Sequence, residues 1–263
     1  MWIAGLVSIA ISGLLVFLYR SQKSRLGLIQ STQTSQVQLL RELAQSMKEG
    51  VGEGSFAYLT EVKGKVVCAA PLQSELGELA CVYYSMRIER EYEETYYETD
   101  QEGRRTRRTR TGSDTVAENK RVTPFLVDDT TGQILIDPGG AEFLAEKVVS
   151  RFEPGGEASG GELRWGNFSL TLPSLSGDRR TLGYRFEEEA ITVGRNIYVL
   201  GEATELNGEL QVKQPQEGQF IISLKGEEEL VRDSQSSATW LLVGSIACAL
   251  IGVGLVVAGL LQH

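Results

Sequence analysis

Two uninterrupted apolar runs bracket the chain, and a mostly alternating pattern fills the space between them. The first, residues 2–19, reads WIAGLVSIAISGLLVFLY, and the second, residues 240–261, reads WLLVGSIACALIGVGLVVAGLL. A helix rises ~1.5 Å per residue and the hydrocarbon core of a bilayer is ~30 Å thick, so about 20 apolar residues are enough to cross it. The pattern predicts transmembrane helices over 1–20 and 239–261. Trp2, Tyr19 and Trp240 stand at the ends of these runs, where amphipathic rings favour the headgroup level. No basic residue precedes the first run and no convincing cleavage site follows it, which makes it an uncleaved anchor rather than a signal peptide.

Between the runs the period changes twice. Val37, Leu40, Leu43 and Met47 recur at helical spacing and Gly50 closes the segment, so 26–50 reads as a connector with an amphipathic helix that packs on the domain or lies at the lipid surface. From Ala57 the pattern turns to period two and to β-formers. YLTEVKGKVVCAAP and CVYYSMRIEREYEETYYET read as strands, the turn cluster DQEG follows, and RRTRRTRTGSDT returns with alternating Arg and Thr. A hairpin closed there places Glu98 opposite Arg105 and Glu93 opposite Arg110. TPFLVDD, GQILIDP, ELRWGNFSLTL, NIYVLGEATEL and QFIISL add further strands, with a Gly-rich loop over 154–161. GDRRTLGYRFEEEAI is a candidate helix, and SLKGEEELVRD turns helical before the second run. The expected fold is a mainly β (α+β) domain over 57–233, antiparallel and barrel- or sandwich-like, flanked by two transmembrane helices.

Charge adds an orientation and removes one class of partner. The net charge is −9, and every charged side chain lies between Arg20 and Asp233. Arg20, Lys23 and Arg25 follow the first run while no Lys or Arg flanks the second on its far side, so the positive-inside rule places the domain in the cytoplasm of a two-pass protein. An acidic chain without a basic face does not take nucleic acid as a bulk partner. The one basic cluster, Arg104, Arg105, Arg107, Arg108 and Arg110, has two readings: partner of the acidic strand before it, or a contact for an acidic partner or anionic lipid. The acidic runs at 187–189 and 227–229 read as solvated faces rather than cation sites.

No catalytic constellation accompanies these features. The sole histidine is His263, which excludes a His-based triad inside the domain. Cys68, Cys81 and Cys248 have no metal-knuckle spacing, so neither a metal nor a cofactor is implied. A disulfide between Cys68 and Cys81 and two buried thiols are the open readings, and a cytoplasmic domain favours the thiols. DPGG lacks the companions of a phosphate loop and reads as a turn. An OB-like binding face would need exposed aromatics, and the candidates are Tyr83, Tyr84, Tyr92, Tyr96 and Tyr97. Within the apolar runs, Ala4, Ser8 and Ser12 recur every four residues, as do Gly244, Cys248 and Gly252. Small-residue faces of this kind let helices pack on each other or dimerise.

The segments GKVVCAAPLQSELGELACVYYSMRIERE, TPFLVDDTTGQILIDPGGAEF, NIYVLGEAT and QFIISLKGEEEL together resemble the membrane-adjacent BAM/GIDE domain of the GIDE or MULAN family, as does the order span, domain, span. That family comprises RING-type E3 ubiquitin ligases of organelle membranes, in which a RING follows the second span. A RING needs eight Cys and His ligands and this sequence has three cysteines and one histidine, so the resemblance is to a short, prokaryote-like form lacking the RING. It implies a membrane-anchored binding or scaffold protein acting in membrane or envelope organisation, with a membrane-protein partner or a second copy of itself. The alternative it implies is a component of a ubiquitin ligase whose catalysis is supplied elsewhere. In either case Cys81 is structural, since Arg87 is the one nearby charge that favours a thiolate.

Overall fold

The computed structural model describes residues 2–52, 54, 56–99, 103–155, 162–165, 168–171, 179–206 and 208–261. Residues 100–102 of the expected turn, residues 156–161 of the Gly-rich loop and His263 lie outside the described residues. The chain begins with helices α1 (Trp2–Ser31) and α2 (Val37–Val51). Strands β1 (Ala57–Val67), β2 (Leu72–Gln73), β3 (Ala80–Thr99), β4 (Arg105–Val122), β5 (Phe125–Asp128), β6 (Gln133–Ile136) and β7 (Glu142–Leu144) follow. Then come β8 (Glu146–Pro154), β9 (Glu162–Trp165), β10 (Phe168–Thr171), β11 (Arg179–Thr192), β12 (Asn196–Leu206), β13 (Glu209–Lys213), β14 (Ile221–Ser223) and α3 (Glu227–Leu261). The protein is mainly β and antiparallel, of barrel type, with two long apolar helices at its ends, as the hydropathy pattern predicts. Its contacts divide it into two units, Met1–Lys63 with Gly139–Glu142 and Ile197–His263, and Gly64–Pro138 with Phe143–Asn196.

In the first unit, α1 and α3 run antiparallel along one another. Both are long and apolar enough to cross a membrane. Each outruns its apolar segment: α1 has 30 residues and α3 has 35, or ~45 and ~52 Å at ~1.5 Å per residue, against a ~30 Å hydrocarbon core. The surplus of each carries its charged residues, from Arg20 onward in α1 and before Trp240 in α3, and buries Ile29 and Leu230. In α2 the expected apolar stripe divides. Val37 and Leu40 are buried together with Ala44, whereas Leu43 and Met47 align with Leu39 on the exposed side. The apolar arc is wider than the surface that covers it. Strand β12 pairs β13 and β14 and is buried on both faces from Ile197 to Gly201.

The second unit is built on a five-stranded antiparallel sheet in the order β2-β3-β11-β8, with β4 also paired to β3. Here one expectation fails. The segment predicted as a helix is β11, in which Tyr184, Phe186, Glu188 and Ala190 alternate inward. Its three consecutive glutamates favour a helix locally, but ladders to β3 on one side and β8 on the other decide for the strand. Tyr84, Met86, Ile88, Tyr184, Phe186 and Ala190 form the core on that face, with Leu76 and Cys81 over it. The end of β1 pairs β5, and β5 pairs β6. Between those last two strands VDDTTG is a turn: the Asp128 carboxylate accepts the Thr130 N–H at 2.9 Å, and Asp129 accepts those of Thr131 and Gly132 at 2.9 and 3.0 Å. Strands β9 and β10 form a separate hairpin.

Candidate functional site

The arginine cluster lies on a long hairpin. Strands β3 and β4 contain 20 and 18 residues, and at ~3.3 Å per residue each runs on the order of 60 Å. Glu94 stands opposite Arg110, Tyr96 opposite Arg108, Glu98 opposite Thr106 and Thr99 opposite Arg105. This register is one residue away from the expected one, which placed Glu98 opposite Arg105 and Glu93 opposite Arg110. A register shift separates the two ends of the hairpin: Ile88 stands opposite Ala117 but Glu89 opposite Thr115, so the tip runs one residue out of step with the apolar base.

That register sorts the arginines by face. Arg110 pairs with Glu94 at 2.6 Å and Arg108 with Glu98 at 3.2 Å, both on the face that continues from the core. Glu94 also receives Arg179 of β11 at 3.1 Å, and the two guanidinium donors, Arg110 foremost, hold its carboxyl below the ordinary carboxylate value. The opposite face carries Thr95, Tyr97, Thr99, Arg105, Arg107 and Thr109. Arg107 reaches the Thr95 hydroxyl at 3.5 Å, and among the described residues no carboxylate pairs with Arg105 or Arg107. Tyr97 is 63 % exposed beside them. Arg104, just before β4, is exposed. Of the five tyrosines singled out by the sequence, Tyr83 and Tyr84 are buried, with Tyr83 stacked on Phe143, while Tyr96 and Tyr97 are exposed. Tyr92 lies between the guanidinium groups of Arg90 and Arg179, at 5.2 and 4.5 Å from its ring centre.

The small residues of α1 and α3 meet with a different period from the one seen in the sequence. The Ser8 hydroxyl donates to the Cys248 carbonyl at 2.8 Å, and Ser12 to the Ser245 carbonyl at 2.9 Å. Gly5 and Gly252 face each other so closely that a Cβ on Gly5 would lie 2.8 Å from the Gly252 carbonyl oxygen. Ala4 is exposed, and a Cβ on Gly244 would meet Leu15 at 3.6 Å. The seam follows Gly5, Ser8, Ser12 and Leu15 on one helix and Ser245, Cys248 and Gly252 on the other. This is the alternating three- and four-residue spacing of left-handed helix pairs.

The cysteines are unbonded. Cys81 is fully buried and donates to the Leu72 carbonyl at 3.7 Å, and burial, with Glu188 adding to it, pushes its thiol up to about 11. A thiol held in that form is not a nucleophile at neutral pH. Two buried carboxylates escaped the sequence reading. Glu188, the middle of an acidic run, accepts the N–H groups of Leu76 and Gly77 at 2.8 and 2.9 Å and so ties a loop to the core. Glu61 accepts the Tyr198 hydroxyl at 2.6 Å and the Thr34 hydroxyl at 3.1 Å, with Lys63 at 3.8 Å, and burial raises its pKa. The signal for Glu188 was its inward place in the alternation Tyr184, Phe186, Glu188, Ala190.

The geometry places the arginines of the hairpin at the surface, and comparison with known proteins supplies the family. Residues 93–258 match the family model GIDE, described as E3 Ubiquitin ligase. The chain belongs to the GIDE family. The match opens inside β3 and runs into α3, so it spans the arginine hairpin, the VDDTTG turn and most of the second apolar helix. The PLQSELGELACVYY segment that carried much of the resemblance precedes the family match. No significant match to the chain is found among curated proteins or among solved structures.

Proposed function

We propose that this GIDE-family protein is a membrane-anchored binding module. In this reading α1 and α3 cross the bilayer as a pair. The domain over 57–233 stands on the cytoplasmic side, to which Arg20, Lys23 and Arg25 direct it, and the hairpin of β3 and β4 engages another membrane protein or a second copy. The protein then serves membrane or envelope organisation. The observation that carries the reading is the outward face of the hairpin, where Arg105 and Arg107 flank an exposed Tyr97 with no carboxylate partner among the described residues. Tyrosine and arginine are enriched among the residues that dominate binding energy at interfaces.

Chemical cross-linking in native membranes tests it, comparing the natural chain with Arg105→Glu/Arg107→Glu. Loss of a specific cross-linked partner in a variant that keeps its melting temperature supports the reading. Unchanged cross-links remove the hairpin from it.

A second reading is favoured by the family description: the domain is a component of a ubiquitin ligase, with the RING chemistry supplied by another chain or segment. Reconstitution with purified activating and conjugating enzymes decides it, since absence of any conjugate leaves only the binding module.

A further inference from the structure

Beyond its side chains, β4 offers a free backbone edge. It pairs β3 on one side, and among the described residues no strand pairs the other. Half of its N–H and C=O groups therefore point away from the sheet along an 18-residue strand whose side chains are all exposed or half-buried. The edge is basic, with Arg105, Arg107, Arg108, Arg110, Lys120 and Arg121 against Asp114 and Glu118. At the tip Glu94 and Glu98 neutralise Arg110 and Arg108, whereas Arg105 and Arg107, two residues apart on one face, have no carboxylate partner among the described residues.

Positive charge on an edge strand blunts self-pairing, because a second copy of β4 would bring arginines against arginines. A strand of opposite charge meets no such barrier. A lipid surface would use the charge but leave the edge groups unpaired. We propose that β4 accepts an extended acidic segment of a partner protein as an added strand, with carboxylates at alternate positions set against Arg105 and Arg107. Backbone hydrogen bonds supply affinity in such additions, and alternate side chains supply register and specificity. The inference rests on the hairpin being the contact surface.

The test uses the full chain in lipid nanodiscs and a labelled synthetic peptide of about ten residues, a common strand length, with Glu alternating with Thr or Val. Binding is expected, weakened at least about tenfold by Arg105→Gln/Arg107→Gln, since arginine is enriched among the few interface residues that carry that much, and much less by Arg108→Gln on the other face. A peptide of the same charge with proline at alternate positions cannot form the ladder and should bind at least about tenfold more weakly. Equal binding of both peptides overturns strand addition in favour of charge alone. Binding to anionic vesicles but to neither peptide overturns it in favour of a lipid surface. No binding, with self-association of the Gln variant, overturns it in favour of edge blunting. If neither peptide binds while Arg105→Glu/Arg107→Glu still abolishes the membrane cross-links, the contact surface stands and strand addition fails.

Discussion

The base and the tip of the β3–β4 hairpin belong to the same two strands and solve opposite problems. At the base Tyr84, Met86 and Ile88 are buried against Phe186 and Ala190 of β11, and even the Glu188 carboxylate is enclosed and bonded to backbone N–H groups. At the tip the same alternation continues, but the positions that were apolar become Glu94 and Glu98 opposite an arginine strand, all at the surface. Between them Arg90 occupies an inward position with a side chain only 4 % exposed, its nearest carboxylate Asp114 at 4.0 Å and its Nε without a partner among the described residues. The hairpin therefore runs, with one register shift between Ile88 and Glu89, from an environment where packing sets the energy to one where charge sets the chemistry. Stability should reside at the base and recognition at the tip.

The largest test of that division is Phe186→Ala. A fully buried phenylalanine truncated in a packed core costs about 3–5 kcal/mol, whereas Tyr97→Ala at the tip should stay within about 0.5 kcal/mol. Denaturant unfolding of the full chain in detergent, followed by circular dichroism, measures both. Equal losses would abolish the distinction. Next is Glu188→Ala, which leaves the N–H groups of Leu76 and Gly77 buried without their acceptor. The expected cost is about 1–3 kcal/mol, read in the same experiment, and an effect near zero would mean that water replaces the carboxylate.

Arg90 sharpens the boundary. A buried charge with an imperfect partner is held at a desolvation cost, so Arg90→Met should leave stability unchanged or raise it by up to about 1–4 kcal/mol. A loss above that scale would show that its stacking on Tyr92 matters more than its desolvation.

Much of this division could be read in the sequence, and the parts that could not have physical causes. The apolar helices, the strand over 80–99 and the acidic-basic hairpin follow from runs and periods, which are local properties. The register does not, because the shift between Ile88 and Glu89, where Val116 is the extra residue of β4, leaves no mark in the period. The strand at 179–192 was hidden by Glu187, Glu188 and Glu189: a glutamate run suggests a solvated helix, and only the ladders on both sides show that the middle one points inward. In the helices, small residues at every fourth position are visible in sequence, but which of the adjacent small residues form the seam depends on the partner. Gly5 and Ser245 enter it where Ala4 does not.

The smallest expected effect belongs to the tip's own ion pairs. Glu94 receives hydrogen bonds from Arg110 and Arg179, and its folded pKa lies below the ordinary 4.5. A carboxyl whose pKa is depressed by folding stabilises the fold above its unfolded value and loses that contribution as pH falls through the folded one. Glu94→Gln should therefore lower the melting temperature slightly at neutral pH, by less than Glu188→Ala does, and the difference from the natural chain should close as the pH falls to about 2, where both side chains are uncharged. Salt should shrink it at neutral pH, since exposed pairs are screened. A difference that persisted undiminished in acid would mean that Glu94 acts by packing, and the tip would then share the energetics of the base.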